Sequence, residues 1–148
     1  MPVVVTGAHL PLGRALVLAL AERGVPDLRA VVRDRGGAAP LRAGGVRVAV
    51  SDLSDPLRFG AVLEGAHTVV HLDAGPGDGG GPLDTWAWLL EAAEDTGLRR
   101  IVTVLPHGAE VPPGDGRDVV VVRGEPPRSG ETADSAMIRA LVAADSRR

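Results

Sequence analysis

The chain has 148 residues and a formal net charge of −3, enough for one domain with a substantial core and too few for two of ordinary size. Hydrophobic residues make up 45% and charged residues 24%, a globular balance, and the basic residues are scattered, which excludes a nucleic-acid-binding tail or a basic membrane patch. There is no cysteine, no apolar run of the ~18 residues that a membrane span needs, and no signal-peptide pattern, so disulfides, thiolate chemistry and zinc–thiolate sites are excluded and a cytoplasmic location is expected.

Strand and helix patterns alternate along the chain. Residues 3–6 are a β-branched run, followed by a glycine-bearing turn over 7–13. Residues 14–23 carry Leu16, Val17, Leu20 and Ala21 at helical spacing, with Gly24 as the stop. Strands are expected at 28–32 and 46–50, separated by a Gly/Ala-rich loop over 36–45 with one helical turn around 40–42. Ser54, Asp55 and Pro56 open a short helix over 54–64, and 68–72 is a fourth strand. Residues 75–81 include five glycines and read as a flexible loop. The clearest helix covers 83–96, with Trp86, Leu89, Leu90 and Ala93 on one face; Trp86 and Trp88, two apart, cannot share it. A fifth strand at 101–105, a Pro/Gly-rich connection at 106–117, a sixth strand at 119–122 and an amphipathic helix at 132–144 complete the chain.

Continuous apolar strands such as Val3-Val4-Val5 and Val119-Val120-Val121-Val122 suit a sheet covered on both faces. Alternation with helices then predicts a Rossmann-like, doubly wound α/β fold with a mostly parallel sheet of five to six strands, a single domain over 1–148. The sixth strand is the exception to a parallel reading. A parallel crossover ordinarily needs a helix, and 106–117 supplies none, so an antiparallel strand or one paired across a dimer is the alternative.

In such a sheet the first loop is the first place to seek a ligand. It runs Thr6-Gly7-Ala8-His9-Leu10-Pro11-Leu12-Gly13-Arg14, a glycine turn leading into a helix whose N–H groups and dipole favour an anion. Here the chain resembles the extended and atypical short-chain dehydrogenase/reductases, including the NAD-dependent epimerase and NmrA-like groups. Their T-G-x-x-G-x-x-G fingerprint is matched by Thr6, Gly7 and Gly13, with Leu10 at the middle glycine. Val31-Val32-Arg33-Asp34, Ser51-Asp52-Leu53, Val69-Val70-His71-Leu72-Asp73-Ala74 and Leu89-Leu90-Glu91-Ala92-Ala93 resemble later family segments in the same order.

The resemblance implies a dinucleotide site formed by Gly7, His9, Leu10, Leu12, Gly13, Arg33, Asp52, Leu53, Asp73 and Ala74. It implies NADP in preference to NAD, through Arg33 on the 2′-phosphate. A leucine at position 10 would crowd the pyrophosphate, which sets an inherited but empty architecture against a working site. Tyr, Lys, Asn and Gln are absent and all 16 basic residues are Arg, the bias of a GC-rich, bacterial genome. The family's Tyr-x-x-x-Lys pair therefore cannot form within the chain. The helix that carries it and the substrate-binding lobe are missing too. The expectation is a truncated member that is not a working dehydrogenase and acts as an NAD(P)- or small-ligand-binding regulatory or assembly component. The alternative is a divergent enzyme: an NADPH-dependent reductase, or a cofactor-free lyase, isomerase or cyclase.

Asp73 and His107 end neighbouring strands and are the candidate acid–base pair for that alternative; hydrated strand-end residues are the plainer reading. His71 reads as a core histidine, Arg33 equally as a solvated strand end, and Asp52 equally as a helix cap. His9, His67, His71 and His107 lack ligand spacing, so no metal is expected. The missing helix leaves an apolar face that either 133–144 or a second copy must cover, which makes a homodimer the expected partner, with neither nucleic acid nor membrane.

Overall fold

The computed structural model describes residues 2–73, 81–123, 139 and 141–143. Val3–Thr6 (β1), Leu28–Val32 (β2), Arg47–Val50 (β3), Thr68–His71 (β4), Arg100–Leu105 (β5) and Asp118–Arg123 (β6) form one sheet in the order β3-β2-β1-β4-β5-β6. Every adjacent pair is parallel. This is a Rossmann-like α/β fold, and the strand order reverses at the β1/β4 junction.

Alternate residues of the central strands feed two cores. Val3, Val5, Val70 and Val102 pack with Leu12, Leu16 and Leu20 of α1 (Pro11–Glu22) and Leu41 of α2 (Ala38–Ala43). Val4, Val69 and Ile101 pack on the other face with Phe59 and Leu63 of α3 (Pro56–Leu63) and Trp86 and Leu89 of α4 (Trp86–Ala93). Each fully buried side chain of this size contributes roughly 1.5–3 kcal/mol, so the two faces together anchor the sheet against the entropy of ordering it.

Local chemistry fixes the helix starts. Pro11 and Pro56 occupy first-turn positions that lack an N–H partner anyway. The Asp55 carboxylate accepts from the Leu57 and Arg58 amides. A short 3₁₀ turn, Pro82–Thr85, precedes α4, and Asp84 there accepts from the Gly81 amide. The segment expected as a loop with one helical turn is more ordered than its composition suggests. Asp34 accepts from the Gly37 amide to cap a 3₁₀ turn at Arg35–Gly37, and burial of Ala38 and Leu41 holds α2 behind it.

β6 runs parallel to β5, from Arg100 opposite Asp118 to Leu105 opposite Arg123. The antiparallel alternative is thereby corrected. The 106–117 crossover, which contains no helix, is held instead by polar contacts to α4 and the turn after it. The Trp86 indole Nε1–H donates to the Pro113 carbonyl at 2.8 Å, and the Arg117 guanidinium donates to the carbonyls of Ala93 and Leu98. This segment therefore lies against the α4 side. Leu141 and Val142 pack in the α1/α2 core on the opposite face, so these residues of the 133–144 segment do not cover the α3/α4 face. Most of that segment and of the 75–81 loop lies outside the described residues.

Helix α1 is seated on the loop before it without spare room. A Cβ at Gly13 would lie 2.1 Å from the Gly7 carbonyl oxygen, a backbone atom that cannot move aside alone. Gly13→Ala should cost about 3 kcal/mol or more, measured by urea denaturation. Gly81→Ala, where nothing lies within 4 Å of the added methyl, should stay near wild type. An unchanged midpoint for Gly13→Ala would contradict this packing.

Candidate functional site

The loop after β1 lies at the carboxyl edge where the strand order reverses. Gly7 turns the chain there with φ +69°, a conformation that favours glycine, and a Cβ at this position would lie 2.7 Å from the Leu72 backbone carbon. The Leu10 amide donates to the Gly7 carbonyl at 3.0 Å, and the Arg14 amide closes the first helical turn onto Leu10 at 2.9 Å. Pro11 has no N–H, which leaves the amides of Leu12 and Gly13 as first-turn donors without a partner inside the helix. They mark its positive end. Leu10 itself has an ordinary extended backbone, φ −78° and ψ 154°, so the loop's shape does not demand glycine there. The residue is half-buried.

Beneath the loop lies a directed chain of hydrogen bonds. The Thr6 hydroxyl oxygen accepts from the Leu72 and Asp73 amides, which commits its own proton to His71 Nδ1 at 2.8 Å. His71 Nδ1 must then be the unprotonated nitrogen, so Nε2–H donates to the Thr85 hydroxyl at 2.8 Å. The Thr85 hydroxyl in turn faces two carbonyl acceptors, Asp73 at 3.3 Å and Pro82 at 3.4 Å. His71 is fully buried, its carbonyl accepts from Thr103, and its ring meets Trp86 edge-on at 5.9 Å. Burial pushes its pKa down to about 4, against a smaller opposing pull from Asp73. It is a core histidine that fixes the β1, β4 and Pro82–Thr85 segments in register.

Above the loop, Arg33 at the end of β2 donates to the Asp73 carboxylate at 2.6 Å. Asp73 is 1% exposed although charged. His9 lies close enough for Asp73, Arg33 and Asp34 to act on it, but burial is the leading influence and lowers its pKa. Arg33 Nε and His9 Nδ1 are buried without a hydrogen-bond partner among the described residues. Outside β2 and β3 a 370 Å³ cleft is lined by Arg33, Arg35, Ser51, Asp52, Asp55 and Arg58. Asp52 is exposed and accepts from the Ser54 hydroxyl and amide, bonds that lower its pKa; the cap of α3 is Asp55.

Of the expected site residues, Gly7, His9, Leu10, Leu12, Gly13, Arg33 and Asp73 gather around the first loop, and Asp52 faces the adjoining cleft. Leu53 has its side chain fully buried in the α3/α4 core, so it can offer only backbone. Ala74 lies outside the described residues. His107 is exposed in the turn after β5, and the Asp73 carboxylate is engaged by Arg33, not by His107. Sequence reasoning missed Arg35, Arg58 and Thr85. Only a hydroxyl at the end of a 3₁₀ turn, with a histidine in β4 to meet it, could have signalled the last. Among the described residues no three His, Asp or Glu side chains cluster as a metal site would require.

Residues 7–116 match the NAD(P)H-binding family. The chain belongs to this NAD(P)H-binding family. It is 33% identical over 117 residues to the chloroplastic protein High Chlorophyll Fluorescence Phenotype 244 of Arabidopsis thaliana, a match covering 75% of this chain and 29% of that protein. The structure resembles triphenylmethane reductase of Citrobacter sp., solved in complex with NADP(H), at TM-score 0.56 and 27% identity over 70% of this chain and 37% of the reductase. It also shares the fold of ChuY, an anaerobilin reductase of Escherichia coli O157:H7, at TM-score 0.62 and 22% identity, covering 74% of this chain and 53% of that one. The chain thus spans about a third to a half of these relatives, and no helix among the described residues is long and apolar enough to cross a membrane. The residues present fit the dinucleotide that the family implies. Gly7 and Gly13 let the loop pack against the end of β4 and the start of α1, and Arg33 Nε and His9 Nδ1 beside it are buried with no hydrogen-bond partner among the described residues.

The His71 network carries a pH signature for this family member. An unfolded chain protonates this histidine near 6.5, whereas the folded chain does so only near about 4. The unfolded state therefore binds more protons between those values, and stability must fall as pH drops through that window. Denaturation midpoints should decline from pH 6.5 to 4.5, and the slope should flatten in His71→Phe. A His71 ring that titrates near its ordinary value by NMR would contradict the assignment.

Proposed function

We propose that this chain binds NADP(H) at the β1 loop and serves as a ligand-binding regulatory or assembly component, not as a Tyr–Lys dehydrogenase. The observation that carries the reading is the cleft beside the loop, where Arg33 and Arg35, just after β2, and Arg58 of α3 line one 370 Å³ space. Arginine is the side chain best shaped for bidentate contact with a phosphate. Such a cluster at the ends of β2 and β3 suits the 2′-phosphate that distinguishes NADP from NAD. The dinucleotide, when bound, would supply a hydride donor or acceptor. The chain's part is to hold its phosphates with the Leu12 and Gly13 amides and its 2′-phosphate with the arginines.

The chain contains neither Tyr nor Lys, so within it nothing can act as the family's proton donor and its lysine partner. That absence supports a binding role over dehydrogenation. A cytoplasmic setting suits a chain without cysteine. Self-association belongs to the same reading, supported by β6, an edge strand whose Val119–Val122 side chains are only half-buried; a monomeric mass by light scattering would remove it.

Titration of the purified chain with NADPH and NADH, followed by calorimetry, tests the proposal. NADPH should bind more tightly than NADH. Arg58→Ala should weaken NADPH alone by about 10- to 100-fold, the worth of one charge-assisted hydrogen bond. Absence of binding by either nucleotide at millimolar concentration would overturn it.

A further inference from the structure

The Arg33–Asp73 ion pair joins the ends of two strands that are not neighbours in the sheet. Arg33 follows β2 and Asp73 follows β4, with β1 between them in the sheet. Their 2.6 Å contact therefore carries the guanidinium across the carboxyl end of β1. The Ser51 and Asp52 side of the arginine-lined cleft follows β3, on the opposite flank of β2. Arg33 lines that cleft and at the same time reaches the Asp73 carboxylate after β4.

We propose that Asp73 is a specificity-determining residue, which competes with the 2′-phosphate for Arg33 and so holds down the preference for NADP over NAD. The inference rests on the dinucleotide reading above. Three observations carry it. First, Asp73 is a carboxylate with 1% exposure, and a charge so far from water needs a cationic partner, which Arg33 supplies. Second, the pair leaves the guanidinium incompletely satisfied: Arg33 Nε is buried and has no acceptor among the described residues, so the group has capacity for a further anion. Third, the arginine already borders the cleft where that anion would sit. NADPH must draw the guanidinium towards its 2′-phosphate and away from Asp73. NADH has no group to make that exchange and leaves the ion pair closed. Asp73 thereby reduces the affinity for NADPH more than that for NADH.

The ratio of the two affinities is the decisive readout. In Asp73→Asn, which keeps the size and removes the charge, the NADPH-to-NADH affinity ratio measured by calorimetry should rise about tenfold. On an Arg33→Ala background the same substitution should leave the ratio unchanged. Asp73→Ser gives the same readout if Asp73→Asn does not fold. A general repulsion between Asp73 and the pyrophosphate would strengthen both nucleotides alike and leave the ratio where it was, which overturns the proposal. An orienting role for Asp73 would lower the ratio, which also overturns it. If wild type and variant bind neither nucleotide, the dinucleotide reading fails and this inference falls with it.

Discussion

The close approach of α1 to the end of β1 governs the geometry of everything at the carboxyl edge. With a hydrogen in place of Cβ at Gly13, the helix start meets the Gly7 carbonyl directly, and Gly7 in turn rests on the backbone of Leu72 and Asp73. The β1 loop and the start of α1 thus touch each other, and the loop touches the distant Leu72–Asp73 segment, backbone to backbone. A side chain at Gly13 would push the start of α1 off the loop, and one at Gly7 would push the loop off the segment after β4. The apolar residues of α1 (Leu12, Leu16 and Leu20) hold the helix in that seat from below. The packing of the loop against α1 and the end of β4 is therefore one constraint, expressed through two glycines.

The polar groups around this contact divide into two layers with different roles. Below the loop, Thr6, His71 and Thr85 form a sequence of hydrogen bonds in which the Thr6 and His71 protons each have one place. A neutral, fully buried histidine in such a chain is a structural element, and its lowered pKa is a consequence of being locked there. Above the loop, the Arg33–Asp73 ion pair lies beside His9, and Arg33 Nε and His9 Nδ1 are buried with no hydrogen-bond partner among the described residues. The first layer is one of paired polar groups, and the second is one where polar atoms have capacity left over.

Much of this was legible in the sequence because it is written in local pattern. The β-branched runs gave all six strands to within a residue or so, since a strand buried on both faces has no room for polar residues. Gly7 and Gly13 stood out because a tight loop before a helix needs them. His71 was readable as core from its apolar neighbours. The rest depends on contacts that no local pattern records. The direction of β6 is set by Trp86 and Arg117 gripping a connection without a helix. The ordering of α2 depends on burial of Leu41. The pairing of Arg33 with Asp73, forty positions apart, becomes visible only once β1 lies between β2 and β4. Leu53 illustrates the limit of resemblance. Its position suggested a cofactor contact, but the chain turns there through φ +72° and sends the side chain into the core.

The central claim is that a dinucleotide lies over the carboxyl end of β1, held by the first turn of α1. Amide chemical-shift mapping on the whole chain tests it most directly, because it reports place as well as binding. Addition of NADPH should shift the amides of Gly7, His9, Leu12, Gly13 and Arg33 and leave those of Gly65, Ala66 and Thr96, at the opposite end of the strands, unmoved. Shifts confined to that opposite end, or none at all at saturating nucleotide, would contradict the account.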